Sequence, residues 1–251
     1  MKKSRHIAIV LAGGRGSRMN SAVPKQYIML RNRPVLSYSL ECMQNSSFID
    51  DIILVCGRDD EEFCRHDIVN RYNFTKVCSV IPGGEERYDS VYNGLAEIER
   101  LAIADEYSYV YIHDGARPCI DEMLLAECRD NVQKYGACVP AVPVKDTIKI
   151  VDNDGFCVDT PPRSSLMAVQ TPQCFRYKLA LEAYKSMNDA RKNGMDIRTI
   201  TDDAMVAERF TGARVKLCRG SYTNIKITTP EDMDAAERVI CRKLKKFKKR
   251  C

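Results

Sequence analysis

Gly13, Gly14 and Gly16 stand among Arg15, Arg18 and Lys25 in residues 11–26, LAGGRGSRMNSAVPKQ. Glycine lets a ligand approach the backbone with no Cβ in the way. Successive N–H groups in such a loop form a concavity for anions, and three cations on one short stretch add to it. The chemistry indicated is polyphosphate binding. The loop is not the dinucleotide fingerprint, because Gly14-Arg15-Gly16 is followed by Ser17, Arg18 and Met19 and the last glycine is missing. Nor is it the ATPase loop, since no Gly-Lys-Ser/Thr occurs. Two further stretches have suitable chemistry. In Gly83-Gly84-Glu85-Glu86-Arg87-Tyr88-Asp89-Ser90, the paired glycines can admit a base ring and Ser90 can donate to base or ribose. In His113-Asp114-Gly115-Ala116-Arg117-Pro118, Asp114 suits Mg²⁺, which takes few carboxylates plus substrate phosphate oxygens. Arg117 there suits a bidentate phosphate clamp.

These stretches need a scaffold, and hydrophobic periodicity supplies one. Apolar runs at 7–10, 51–56, 77–81 and 107–112 read as buried strands. Helical patterns cover 34–45, 60–70 and 90–101, and Asp121 caps another that Gly136 stops. The alternation predicts an α/β fold: a single Rossmann-like domain with a mostly parallel sheet and helices on both faces. Ligands bind such sheets beyond the strands' carboxyl ends, and the three stretches follow the first, third and fourth strands.

Composition narrows the class. With 45% hydrophobic and 29% charged residues the 251-residue chain is ordinary for a soluble globular protein. No apolar stretch approaches the roughly 18 residues of a membrane span, so no membrane partner is expected. The basic start leads into a first strand rather than an export signal. The cysteines form no C-x-x-C pair, and reduced thiols in a cytoplasm are expected, with Cys56, Cys78 and Cys138 as core residues. The net charge of +5 is uneven: the seven cations of 242–251 leave the rest near −2. The chain therefore divides into a domain over 1–241 and a basic, solvated tail over 242–251, with no nucleic-acid partner expected.

The pattern L-A-G-G-x-G-x-R-M followed by P-K-Q resembles the nucleoside-triphosphate loop of enzymes that activate sugar and polyol phosphates. Over nearly the whole chain the sequence resembles the 2-C-methyl-D-erythritol 4-phosphate cytidylyltransferase family. The matching blocks, in order, are 11–25, 83–91, His113-Asp114 with Ala116-Arg117-Pro118, and Pro143-Val144-Lys145-Asp146-Thr147. Gln170-Thr171-Pro172-Gln173, Thr201-Asp202-Asp203 and Asn224-Ile225-Lys226 complete them.

The resemblance implies transfer of CMP from CTP to methylerythritol phosphate, with pyrophosphate leaving alongside Mg²⁺. The nucleophile is an anionic phosphate oxygen, so no general base is required of His6, His66 or His113. By motif position, Arg18, Lys25 and Lys226 are implied as the catalytic cations, acting by fixed charge and alignment. Ala12, Gly13, Gly14, Gly16, Gly84, Glu85, Ser90, Asp114 and Gly115 are implied at the nucleotide. Asp114, Arg117, Thr147, Arg163 and Thr171 are implied at the polyol phosphate, and Asp114 at the metal. The resemblance also implies a homodimer joined by a β-arm near 144–166, which places Thr147 and Arg163 across the interface. The residues support a hairpin there, since 145–151 alternates and Asn153-Asp154-Gly155 is a turn signal. Lys226 is expected on a strand over 224–228, ahead of a helix begun by Pro230. Gly115 and Glu85 stand where the family often has Ala and Asp, and Thr160-Pro161-Pro162-Arg163 diverges from its arm segment.

Three other readings compete. A ribitol-5-phosphate cytidylyltransferase of cell-wall polyol synthesis shares the CTP loops. A nicotinamide-dependent dehydrogenase lacks its last glycine here. A non-catalytic nucleotide- or nucleic-acid-binding module would use the basic tail and show binding whose salt dependence tracks it.

Overall fold

Strand β1 (His6–Ala12) is buried along almost its whole length, as a central parallel strand must be. The computed structural model describes residues 4–14 and 23–248, with side chains as far as 243. After β1 come β2 (Met29–Leu30), β3 (Arg33–Pro34), helix α1 (Val35–Asn45) and β4 (Asp51–Cys56). A short α2 (Glu61–Phe63) continues as a π-helix (Cys64–Asn70) and leads to β5 (Val77–Pro82), α3 (Arg87–Leu101) and β6 (Tyr109–Asp114). Next are α4 (Glu122–Tyr135), β7 (Ala137–Pro143), β8 (Ile150–Val151), β9 (Cys157–Asp159), β10 (Met167–Val169) and β11 (Gln173–Arg176). The chain closes with α5 (Tyr177–Lys192), α6 (Asp203–Thr211), β12 (Lys216–Arg219) and α7 (Pro230–Lys248).

The main sheet runs β10-β7-β11-β6-β1-β4-β5, with β12 also on β7. β6, β1, β4 and β5 are parallel, while β11 runs antiparallel to both β6 and β7. Side chains alternate across the sheet, so β1 feeds two cores. Ala8 and Val10 pack with Leu36 and Leu40 of α1 and Leu125 of α4. Ile7 and Ile9 pack with Leu95 of α3 and Tyr184 of α5. The predicted two-faced α/β domain is therefore the observed one. From β1 the chain steps outward through β4 to β5, then crosses to the other side of β1 for β6. That reversal opens a crevice at the carboxyl ends of β1 and β6, where such folds bind ligands.

The structure differs from the sequence expectations at several places. Helix α3 begins at Arg87 rather than Ser90, because Asp89 Oδ2 accepts the Glu86 N–H at 3.1 Å and starts the helix early. Residues 224–228 form no strand; they are an extended segment with one backbone bond to the neighbouring loop, Ile227 N–H to Ala116 O at 2.8 Å. The described cysteines are free thiols, but Cys78 lies exposed on the edge strand β5, unlike the buried Cys56 and Cys138. Helix α7 passes residue 242 without a break, and Lys243 Nζ donates to Cys119 O at 2.7 Å and lies 3.1 Å from Asp121 Oδ2. The basic stretch thus starts within a helix docked on the body. Among the described residues no helix is long and apolar enough to cross a membrane.

Residues 144–166 leave the sheet between β7 and β10. Strands β8 and β9 pair antiparallel around a turn in which Asp152 Oδ1 accepts the N–H groups of Asp154 (3.1 Å) and Phe156 (2.8 Å). Gly155 occupies the left-handed region there at φ 85°, a conformation glycine adopts at little cost. The hairpin carries exposed Ile150, Val151, Phe156 and Val158, with Phe156 72% exposed.

Candidate active site

Asp114 ends β6 opposite Leu11 of β1. Its N–H donates to Thr171 Oγ1 at 3.1 Å, and the Gly115 N–H donates to Leu11 O at 2.8 Å. These bonds fix the strand end at the crevice. Lys226 Nζ lies 2.8 Å from Asp114 Oδ2, Arg87 Nε 3.4 Å from Oδ1, and Arg117 Nε 3.9 Å from Oδ2. Burial alone would raise the carboxyl pKa. Arg87, then Lys226 and Arg117, overcome it and hold Asp114 well below the usual carboxylate range.

A cavity of about 190 Å³ opens above this cluster, and Gly13, Lys25, Arg87, Ser90, Asp114 and Lys226 are among its walls. Gly13, Gly14, Gly84 and Glu85 also line an adjoining cleft of about 740 Å³. The two spaces meet along the glycine loops, giving an elongated site with Lys25, Arg87 and Lys226 at one end and Arg58 in the larger cleft.

Lys226 is held by its backbone on both sides. Asn224 Nδ2 donates to Thr171 O at 2.9 Å, and Arg117 Nη1 donates to Asn224 O at 2.8 Å. Ile227 is fully buried. Beyond it Asp232 accepts the N–H groups of Thr228 (2.8 Å) and Thr229 (2.9 Å), closing the start of α7, whose first residue is Pro230. Lys25 opens a single turn over Lys25–Tyr27, and the next residue, Gln26, donates through Nε2 to Ala12 O at 2.5 Å. This ties the lysine's segment to the end of β1.

The second glycine pair is required by packing. A Cβ on Gly84 would lie 2.2 Å from Asp89 Cβ, and one on Gly83 would lie 2.8 Å from Ser90 Oγ. Ser90 Oγ accepts the Gly84 N–H at 3.1 Å and donates to Glu86 O at 3.2 Å, so in this structure the hydroxyl shapes the loop. Arg117 and Thr171, the residues expected at the polyol phosphate, both stand beside Asp114. The Arg117 side chain is only 11% exposed and bonds Asn224 O beside Asp114. Thr171 is buried, with Oγ1 on the Asp114 N–H and 3.0 Å from His113 Nδ1. Both brace the walls of the site from behind. Thr147 and Arg163 sit together on the exposed arm, with Arg163 Nη2 donating to Thr147 Oγ1 at 2.8 Å. Neither lines the cavity at Asp114. Gly16 and Arg18 lie outside the described residues.

Arg87 and Asp203 were visible in the sequence only as members of motif blocks, with no role attached. The signal was Asp202-Asp203, of which one carboxylate suffices to cap a helix.

His113 is fully buried, and burial pushes its imidazole pKa down to about 4. It is neutral near pH 7, in keeping with an orienting role. A stability prediction follows from linkage. Between about 6.5 and about 4 the unfolded chain binds a proton at this residue that the folded chain does not. Stability therefore falls as pH drops through that window, by at most about 3 kcal/mol, and this group contributes no further loss below it. Asp114 has its pKa depressed and keeps its contribution until lower pH. Urea unfolding of the ligand-free protein at about pH 7 and about pH 5 should show a larger loss for wild type than for His113→Gln. Equal losses would refute the assignment.

A family profile described as "IspD: 2-C-methyl-D-erythritol 4-phosphate cytidylyltransferase" matches residues 6–242. A curated protein of that name from Lachnospira eligens is 47% identical over 229 residues, covering 91% of this chain and 96% of the relative. One from Clostridium botulinum strain 657 is 42% identical, covering 94% of this chain and 98% of the relative. A crystal structure of 4-diphosphocytidyl-2C-methyl-D-erythritol synthase from Anaerococcus prevotii superposes with a TM-score of 0.76 at 32% identity, covering 94% and 98% of the two chains.

Proposed function

The chain belongs to the 2-C-methyl-D-erythritol 4-phosphate cytidylyltransferase family, and from that premise we propose how its own residues carry the reaction. It transfers CMP from CTP to 2-C-methyl-D-erythritol 4-phosphate, forming 4-diphosphocytidyl-2-C-methyl-D-erythritol in isoprenoid precursor biosynthesis.

The observation that carries the site assignment is the cage of cations around Asp114 beneath the glycine loops. Two polyanions must meet there, and an attacking phosphate oxygen is already charged, so the demand on the protein is alignment and charge stabilisation. Gly13 and Gly14 present backbone to the triphosphate beyond β1. Gly84 and Glu85 line the larger cleft, which has room for the cytidine, with Ser90 shaping its loop. Lys25 and Lys226, and Arg18 by motif position, stabilise the charge that builds on the α-phosphate and the leaving pyrophosphate.

The donor set fits magnesium. Asp114 is a single carboxylate kept ionised in the crevice, and a metal ion would share its oxygens with Lys226 and Arg87. An ion held there would draw its remaining ligands from nucleotide phosphates, as magnesium does. When bound it would screen the triphosphate and the leaving pyrophosphate.

The arm reads as a dimer element. Its exposed apolar side chains want cover, and a twofold pairing supplies it from an identical surface. Thr147 and Arg163 of the partner subunit would then reach the polyol phosphate at the site of the first chain. Free thiols among the described cysteines support a reducing compartment, the cytoplasm.

The test is pyrophosphate release with CTP and Mg²⁺, comparing methylerythritol phosphate with ribitol 5-phosphate. Strong preference for methylerythritol phosphate is expected. Equal or better use of ribitol phosphate would overturn the substrate assignment, and release unaffected by a chelator would overturn the metal.

A further inference from the structure

Asp203 carries its carboxylate where solvent does not reach, with a side chain 0% exposed. It opens α6 directly after Asp202, whose own carboxylate caps the helix by accepting the Met205 N–H at 2.9 Å. With the cap supplied, the Asp203 side chain turns inward. It accepts Arg87 Nη1 and Nη2 at 2.6 and 2.8 Å and the Tyr184 hydroxyl at 2.5 Å. Gln173 anchors the same helix start, donating to Asp202 Oδ2 at 3.0 Å and accepting the Ala204 N–H at 2.8 Å.

A guanidinium is a rigid plane, so holding both terminal nitrogens fixes where Nε points. In Arg87, Nε points at Asp114 Oδ1. Lys226 occupies the other oxygen. The Asp114 carboxylate is thereby gripped on both sides by groups from different elements: the start of α3 and the segment before α7.

We propose that Arg87 is a positioning residue for CMP transfer: Asp203 and Tyr184 hold its guanidinium so that Nε sets the orientation of the Asp114 carboxylate in the crevice. The assignment rests on the reading of Asp114 as a site residue. Asp203 also offsets the charge that Arg87 brings beside Asp114.

The test compares Arg87→Lys, Asp203→Asn and Tyr184→Phe, each alone and combined with Asp114→Asn. It reads kcat, KM for both substrates and the thermal unfolding midpoint. A lysine keeps the charge but cannot bridge Asp203 and Asp114. Arg87→Lys should lower kcat by about tenfold or more while both KM values move less than about threefold. In the Asp114→Asn background the same change should add less than about twofold, because the group being positioned is already lost. Asp203→Asn and Tyr184→Phe should show the same pattern with smaller losses, and they carry the comparison if Arg87→Lys does not fold. A full loss persisting in the Asp114→Asn background would overturn the proposal, since Arg87 would then act on substrate directly. Unchanged kcat per folded molecule, with only the unfolding midpoint lowered, would overturn it in favour of a structural role. Wild-type turnover in Asp114→Asn itself would instead sink the underlying site assignment.

Discussion

Lys226→Ala is expected to lower kcat by about two to three orders of magnitude with the fold retained. The side chain is 38% exposed and meets Asp114 Oδ2, whereas the bonds that place its segment are made by other groups. Asn224 reaches Thr171 O, Ile227 N–H reaches Ala116 O, and Asp232 closes the helix start. Truncation therefore removes a fixed cation and leaves its mounting in place. Arg87 and Arg117 still face Asp114, so the carboxylate remains compensated. On the role proposed for Lys226, what is lost is positive charge where negative charge builds during transfer. Pyrophosphate release under saturating substrates measures the effect, with thermal unfolding as the control. Turnover within about threefold of wild type would remove Lys226 from the catalytic set. Lys25→Ala should behave alike, since Lys25 lines the same cavity.

Mixing two inactive variants should restore activity if the arm completes a neighbour's site. Arg163→Ala removes the arm guanidinium that now bonds Thr147, and Lys226→Ala removes the cation beside Asp114. Each variant alone is expected to lose at least about a hundredfold in kcat. In a twofold dimer with sites shared between chains, a mixed dimer holds one site with both residues intact and one with neither. After refolding or exchange of an equimolar mixture, half of the dimers are mixed, so roughly a quarter of wild-type activity should return. No recovery, with mixed dimers shown to form, would place Arg163 and Lys226 in the same chain's site or remove Arg163 from it. Phe156→Asp, a charge on a residue 72% exposed on the arm, should meanwhile shift sedimentation from dimer toward monomer. An unaltered dimer would show that the arm is not the interface.

Much of this architecture is local and was legible. The run at 51–56 is apolar because β4 is buried between β1 and β5. Asp121 and Gly136 bracket α4 by bonding its first turn and by taking a left-handed conformation after its last. Pro230 and Asp232 start α7 by chemistry confined to a few neighbouring residues. Glycine loops after strands are legible for the same reason: the need for bare backbone is written at the position itself. Taken with the motif order, that was enough for the fold class and the family.

The long-range pairings were not legible. Residues 224–228 have the β-branched, apolar look of a strand, yet among the described residues they join no strand ladder and are held instead by Ala116 O and by side chains of Asn224, Arg117 and Asp232. Arg117 has the residue type of a phosphate clamp, and only the fold shows that it also bonds Asn224 O beside Asp114. Cys78 has core-like neighbours and becomes exposed because β5 is the sheet's edge. Arg87 and Asp203 stand 116 positions apart, and only the packing of α5 against both α3 and α6 makes them a pair. The amino-acid sequence by itself determined most of the strands and helices, because those depend on periodicity and on neighbours a few residues away. Which charges face substrate, which face each other and which are walled in was decided only by tertiary structure, because electrostatic partners are chosen by distance in space and by burial.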